Sequence, residues 1–360
     1  MSLAASFEVK GWCPGALQPM PSGDGLLVRV RPWCGAFERD AVRALADIAE
    51  RLGNGHVDLT RRANLQIRGV RERDVPELQR VLRRHGLLDR DPAIEAGRNV
   101  MVSPLAGLDP AERDVRPIAR ELVELLAADP ALRGLSPKFG FLVDGGGAVS
   151  IAAERADVAL VAANGSIAVA RGGEWLGTTT PDKAARIAQA LARGETPALG
   201  KIEALPRATS TRPLGPLACG AAGLAAPFGR LEAWQLRKLA DMATSDIRLS
   251  PWRAVYFRGA VQEIGLILDA GNPLLRVDAC PGAPACASSS VDTRALAVAI
   301  AARRPTGTVH VSGCAKGCAR SAPADLVLVG EGGRYGVVRN GTARDRAERT
   351  VDAAEAVALV

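Results

Sequence analysis

The chain repeats itself. Arg43-Ala44-Leu45-Ala46-Asp47-Ile48-Ala49, then Leu59-Thr60, then Arg68-Gly69-Val70 recur in order as Arg237-Lys238-Leu239-Ala240-Asp241-Met242-Ala243, Leu249-Ser250 and Arg258-Gly259-Ala260, with one four-residue gap. Alanine-rich helices resemble one another by chance, but a helix and its following strand matching in the same order point to a duplicated chain. A duplication constrains the fold strongly, because whatever one copy buries the other must bury in the same way.

Each copy reads as strand, helix, strand. Gly25–Val30 is a short alternating run, and residues 38–52 set Val42, Leu45, Ile48, Ala49 and Leu52 on one helical face before Gly53-Asn54-Gly55 stops the helix. Val57 to Val70 reads as one alternating strand, with Arg62, Asn64, Gln66 and Arg68 on one face and Arg61, Leu65 and Ile67 on the other. A second helix follows near 74–85. Between the copies lies a different unit. It opens at Arg98-Asn99-Val100-Met101-Val102, with a helix around 115–127 and strands around Phe139–Val143, Val149–Ala152 and Ile167–Ala170. The Pro-, Gly- and Thr-rich stretch 195–216 reads as a linker. After the second copy come a helix near 291–303 and strands at Thr308–Val311 and Leu326–Val329, the same outline again. The order is a-b-a′-b′, with expected domains 1–90, 91–200, 201–270 and 271–360.

Only the last unit carries paired cysteines: Cys280-x5-Cys286 and Cys314-x3-Cys318, the second pair within Ser312-Gly313-Cys314-Ala315-Lys316-Gly317-Cys318-Ala319-Arg320. Four thiolates on two tight loops can hold a cubane iron–sulfur cluster. Structural zinc and plain buried thiols are the alternatives, and the five-residue gap argues against zinc. Cys13, Cys34 and Cys219 read as small hydrophobes, Cys13 standing out in its Pro-Gly turn.

Composition excludes several classes. At 360 residues, 48% hydrophobic and 24% charged, the chain is globular rather than disordered. Seven cysteines form no disulfide framework, and Met1–Lys10 shows no leader, which together suggest a reducing, cytoplasmic setting. No apolar run approaches the about 18 residues of a membrane span. The net charge of +7 is carried largely by arginine, 40 of 46 basic residues, without a basic run interleaved with aromatics, so nucleic acid is not expected as a partner. Arginine does suit carboxylate ligands, which its planar fork grips in pairs. With three histidines, no two-histidine, one-carboxylate iron site can be read; His56, two residues from Asp58, is a conceivable ligand, while His85 and His310 read as helix end and core.

The cysteine loops and the duplication resemble the sirohaem-dependent nitrite and sulfite reductases. The resemblance implies an α+β fold of that type, built of two ferredoxin-like half-domains and two larger α/β sandwich units, with a [4Fe–4S] cluster on Cys280, Cys286, Cys314 and Cys318. Leu59-Thr60-Arg61-Arg62-Ala63-Asn64-Leu65-Gln66 is similar to the family's Thr-x-Arg-x-x-x-Gln strand, with Arg62 as its anion-contacting arginine, and Arg98-Asn99-Val100 to its second element. Ser136-Pro137-Lys138-Phe139 is similar to its Arg-Lys-Phe-Lys stretch, except that the second lysine position is Gly140. That departure speaks against small-anion reduction.

A narrower resemblance is to the precorrin-3B synthases. It rests on Cys13-Pro14-Gly15-Ala16, Ser22-Gly23-Asp24-Gly25-Leu26-Leu27-Val28-Arg29, Leu59–Gly69, Lys138-Phe139-Gly140-Phe141 with Asp144-Gly145-Gly146-Gly147, and Leu249-Ser250-Pro251-Trp252-Arg253. It implies a monooxygenase of cobalamin biosynthesis that hydroxylates precorrin-3A at C20 with O2 and closes a γ-lactone. Implied with it are a mononuclear non-haem iron and an electron donor such as reduced ferredoxin, flavodoxin or an NAD(P)H-linked reductase. Arg62, Arg98, Lys138, Asn64, Gln66 and Arg68 are then the expected contacts to the tetrapyrrole carboxylates, Arg61 and Arg253 weaker ones. Two other readings stay open: a sirohaem-bound sulfite or nitrite reductase, and a non-catalytic electron-transfer or tetrapyrrole-carrying module. A chain holding both halves of its pseudo-twofold is expected to be a monomer.

Overall fold

A computed structural model describes residues 12–202, 204–206 and 212–360. Met1–Lys10 and part of the expected linker 195–216 lie outside the described residues. The chain divides into two compact units. The larger comprises Trp12–Met20 and Val28–Leu268, and the other includes Pro21–Leu27 and Asp269–Val360.

Within the larger unit the two copies exchange strands. Ala36–Phe37, which precedes the first helix, Arg39–Leu52, pairs antiparallel with Ile247–Arg248, which follows the second helix, Ala233–Met242. Reciprocally, Arg230–Glu232, which precedes the second helix, pairs with His56–Asp58, which follows the first. Each copy therefore completes the other's sheet. The helices pack together, Arg39 Nε donating to the Ala240 carbonyl at 2.9 Å, with Arg43 paired to Asp241 and Arg237 to Asp47 and Glu50. The first helix forms where the pattern predicts, burying Val42, Leu45, Ile48, Ala49 and Leu52 on one face.

The alternating stretch 57–70 is not one strand. It is two, His56–Leu59 and Leu65–Val70, paired antiparallel through Val57↔Ile67 and Leu59↔Leu65. The chain reverses because Thr60 Oγ1 accepts from the amides of Arg62 and Asn64, both at 3.2 Å, and Ala63 adopts a left-handed φ of 50°. The face shared by Arg62, Asn64, Gln66 and Arg68 therefore does not exist: Arg62 and Asn64 lie in the turn, Gln66 and Arg68 on the returning strand. The second copy turns in the same way, with Ser250 Oγ accepting from the Ala254 amide at 3.3 Å and Arg253 at φ 61°.

The middle and C-terminal sheets share one topology. Val100–Val102, Phe141–Asp144 and Val158–Ala163 run parallel, and Ser166–Arg171 and Glu174–Thr179 add antiparallel strands. Val277–Ala279, Val309–Ser312 and Ala324–Glu331 run parallel, followed by antiparallel Arg334–Gly341 and Arg349–Val351. The middle sheet packs on the helices Arg116–Ala128 and Pro181–Ala192 around Leu122, Phe141, Val143, Leu160 and Ala188. Val149–Ala152, expected as a strand, is loop; its Val149 and Ile151 are buried, which gives a loop the alternation of a strand. No described helix is long and apolar enough to cross a membrane. The fold is α+β, with two strand-exchanging half-domains and two mixed sheets.

Candidate functional site

Parallel pairing gathers the cysteine loops. The neighbouring strands Val277–Ala279 and Val309–Ser312 end side by side, so Cys280 and Gly313-Cys314 leave the sheet at the same edge, the edge where parallel sheets commonly form their sites. Gly313 donates its amide to Cys280 Sγ at 3.1 Å, and a Cβ at 313 would lie 3.4 Å from that sulfur and overlap Ser289. Ser312 Oγ donates to the Cys314 carbonyl at 2.8 Å, and Gly317, at φ 66°, turns the chain between Cys314 and Cys318. Cys286 closes its own turn by donating its amide to the Gly282 carbonyl at 2.8 Å. On the other side the hairpin tip Ser22-Gly23 covers this loop: Ser22 Oγ donates to the Ala285 carbonyl at 2.9 Å.

All four cysteines are free, and Cys280 and Cys314 are 7% exposed. Burial raises the Cys314 thiol pKa, with Cys286 and Cys280 adding to the shift. Cys318 is the exposed member as a residue, yet desolvation of its sulfur pushes it up to about 11, with Cys280, Cys314 and Cys286 adding and Lys316 opposing. For Cys314 and Cys318 the thiolate form needs a compensating cation. Among the described residues no three His, Cys, Asp or Glu side chains converge to hold one ion. A cubane makes no such demand, since each thiolate meets a different iron. Four cysteines on two neighbouring loops are a donor set that fits a [4Fe–4S] cluster.

The equivalent edge of the middle sheet has been rebuilt. Ser103 follows Val102 as Cys280 follows Ala279, and Gly145 follows Asp144 as Gly313 follows Ser312. The same amide bond recurs with oxygen in place of sulfur, Gly145 N donating to Ser103 Oγ at 2.9 Å. Ser103 Oγ donates to Glu112, which is 5% exposed and lies over Gly145 and Gly147, where a Cβ on either glycine would strike it. Burial pushes Glu112 up to about 8, with Asp144 and Asp109 adding. A serine and a buried carboxyl thus occupy the place of the thiolates.

The expected carboxylate contacts divide. Arg62 stands in its turn against Gly140, with Nη1 buried and without a hydrogen-bond partner. Asn64 is buried with Nδ2 likewise unpartnered. Gln66, with its amide oxygen turned to Arg29, accepts from Nε at 3.3 Å and Nη2 at 3.0 Å. Arg68 is buried beside Asp58, 3.9 Å away. Arg98 is committed to the scaffold: Nε and Nη2 grip Asp89, the latter at 2.7 Å, Nη1 donates to the carbonyls of Arg31 and Pro32, and the guanidinium lies 4.1 Å from the Trp33 ring centroid. Lys138 is exposed. The structure thus gathers Arg62 and Gln66 and spends Arg98 elsewhere.

Two arginines escaped sequence reasoning. Arg29 bonds the Cys13 thiol, and burial lowers its pKa, with Arg62 adding to that shift. Arg31 pairs with Glu95 at 3.3 Å, and burial lowers it to about 10. The signal was a charge alternating with fully buried Val28 and Val30 in one short strand. His56, the conceivable iron ligand, is engaged with Glu232 at 2.7 Å.

Residues 18–85 match the nitrite/sulfite reductase ferredoxin-like half domain. The fold is similar to that of the Mycobacterium tuberculosis NirA protein, with a TM-score of 0.72 at 20% identity over 92% of this chain and 78% of that one. A Sinorhizobium precorrin-3B synthase is 33% identical across 93% of this chain and 83% of its own length. The chain belongs to the precorrin-3B synthase family. Ferredoxin–nitrite reductases match more narrowly; that of Leptolyngbya laminosa is 32% identical over 42% of this chain and 31% of its own length. The precorrin-3B synthase relative and the nitrite reductases are enzymes, and likeness to the former runs nearly end to end.

Proposed function

We propose that the chain is an O2-dependent monooxygenase that hydroxylates precorrin-3A at C20, with γ-lactone formation, in cobalamin biosynthesis. Precorrin-3A is a reduced tetrapyrrole edged with acetates and propionates, and an arginine with a free buried donor is the group to receive one of them. The observation that carries the reading is Arg62 over Gly140, its Nη1 unpartnered. A guanidinium there suits a planar carboxylate. The family membership supports the same substrate class.

Arg62, Asn64 and Gln66 would orient the macrocycle, with Lys138 reaching a carboxylate from the exposed side. Arg68 and Arg98 would act through the elements they fix. Cys280, Cys286, Cys314 and Cys318 would hold a [4Fe–4S] cluster, which when bound supplies electrons singly from a reduced ferredoxin, flavodoxin or NAD(P)H-linked reductase. One oxygen atom enters the product and the other leaves as water, consuming two electrons and two protons.

Cluster-loaded protein incubated aerobically with precorrin-3A and a reductant should give a product one oxygen heavier, and none without O2. A strong haem-type visible band with sulfite or nitrite turnover would replace this reading by a sirohaem reductase. Tight precorrin-3A binding without any oxygenated product would replace it by a carrier.

A further inference from the structure

A glycine is needed either for its backbone angles or for its lack of a side chain. Gly140 is not among the residues of positive φ, so any L-residue could adopt its backbone. Its space is another matter. A Cβ at 140 would overlap Arg62 Nη1 and lie 3.1 Å from Asn99 Nδ2. Nor can the backbone retreat. The Gly140 amide donates to Asp157 Oδ2 at 2.7 Å, and its carbonyl accepts from the amides of Asp157 and Val158 at 2.8 and 3.2 Å. Asn99 is held in turn, its Nδ2 donating to the Phe139 carbonyl at 3.1 Å. The one movable body is the Arg62 guanidinium, at the end of a long side chain.

We propose that Gly140 is a specificity-determining residue: it seats the Arg62 guanidinium, so that this position selects a tetrapyrrole carboxylate through Arg62. The inference rests on the substrate class proposed above and adds the residue that enforces it. Arg62 leans on a surface without side chain, its Nη1 screened from water and left with a free donor. The partly buried Arg29 beside it adds a second positive charge, already engaged with Gln66 and Cys13. A guanidinium held by this seat is fixed before an anion arrives, which is the preorganisation that tight binding requires. A methyl group at 140 removes the seat and leaves the charge.

The test is a double-mutant cycle on the full chain, with precorrin-3A binding followed anaerobically by quenching of tryptophan fluorescence. Gly140→Ala and Arg62→Ala should each weaken binding by about tenfold or more, the worth of a charge-assisted hydrogen bond. The double variant should be no weaker than either alone. Losses that multiply, or a Gly140→Ala variant that binds like wild type, overturn the proposal. So does a Gly140→Ala variant that fails to fold, because the displaced group is a flexible tip. Independently of any ligand, the Arg62 Nε–H NMR signal, assigned by its loss in Arg62→Lys, should shift in Gly140→Ala; an unmoved signal also overturns the seat. A wild-type chain that ignores precorrin-3A while that signal still shifts overturns the proposed substrate class and leaves the seat standing.

Discussion

Ser103 donates its hydroxyl to Glu112 at 2.5 Å, at the position where the C-terminal sheet carries Cys280. The pair ties the loop after one parallel strand to the glycines after the next, and Glu112 Oε2 has no partner at all. Such a carboxyl is comfortable only when protonated.

A pH dependence follows. Glu112 ordinarily titrates near 4.5 and is pushed up to about 8 by burial, with Asp144 and Asp109 adding. A folded pKa above the unfolded one stabilises the protonated form, so its contribution is full below 4.5 and lost as pH rises through about 8. Asp144 is raised by burial as well and acts in the same direction. The melting temperature should therefore fall as pH rises from about 4.5 to about 8 and level off above that, and Glu112→Gln should flatten that decline. An unchanged profile in the variant would remove Glu112 as its source.

Arg98 and Arg62 should separate stability from binding. Arg98 and Asp89 have side chains 3% and 2% exposed, so Arg98→Ala strands a buried carboxylate and should cost about 3–5 kcal/mol in denaturant unfolding. Asp89→Ala in the same chain should restore part of it. Arg62 has no such partner, and Arg62→Ala should leave the unfolding midpoint nearly unmoved. Equal destabilisation by the two would place both in the scaffold.

That contrast marks what the sequence could and could not disclose. The helix Arg39–Leu52 was legible because its apolar residues recur at helical spacing, and the cysteine loops because their spacing is itself the chemistry. The turn at Thr60–Asn64 was not, because Leu59, Leu65 and Ile67 keep a strand's alternation across it while Thr60 bends the backbone with one hydroxyl. Its repeat held the clue: Ser250 and Arg253 bend the second copy in the same way. The exchange of Ala36–Phe37 and Arg230–Glu232 between copies is a long-range pairing that no local pattern encodes. Arg98 matched a motif, and only the fold shows Asp89 claiming it.

Cysteine replacements should sort the seven thiols into two groups. Cys280→Ser, Cys286→Ser, Cys314→Ser or Cys318→Ser should each lower bound iron and sulfide and the broad absorption near 400 nm after anaerobic reconstitution. Cys13→Ser, Cys34→Ser and Cys219→Ser should leave both unchanged, because these residues stand apart in sequence from the two cysteine loops. Full iron content in any of the first four would remove that residue from the ligand set.

The hairpin tip should matter to the cluster although it carries no ligand. A Cβ on Gly23 would lie 2.5 Å from the Pro284 carbonyl oxygen and 2.8 Å from the Ala287 amide nitrogen, both backbone atoms flanking Cys286. Gly23 is not among the residues of positive φ, so space rather than angle demands the glycine. Gly23→Ala must therefore move the tip or the loop, and moving the loop displaces a thiolate. Iron retained after reconstitution should fall clearly below wild type. Ser22→Ala removes the bond to the Ala285 carbonyl, worth about 1 kcal/mol, and should retain its iron. Normal iron in Gly23→Ala would mean that the tip yields and the Cys286 loop is held by its own turns, the Cys286 amide on the Gly282 carbonyl and the Ser289 amide on the Cys286 carbonyl.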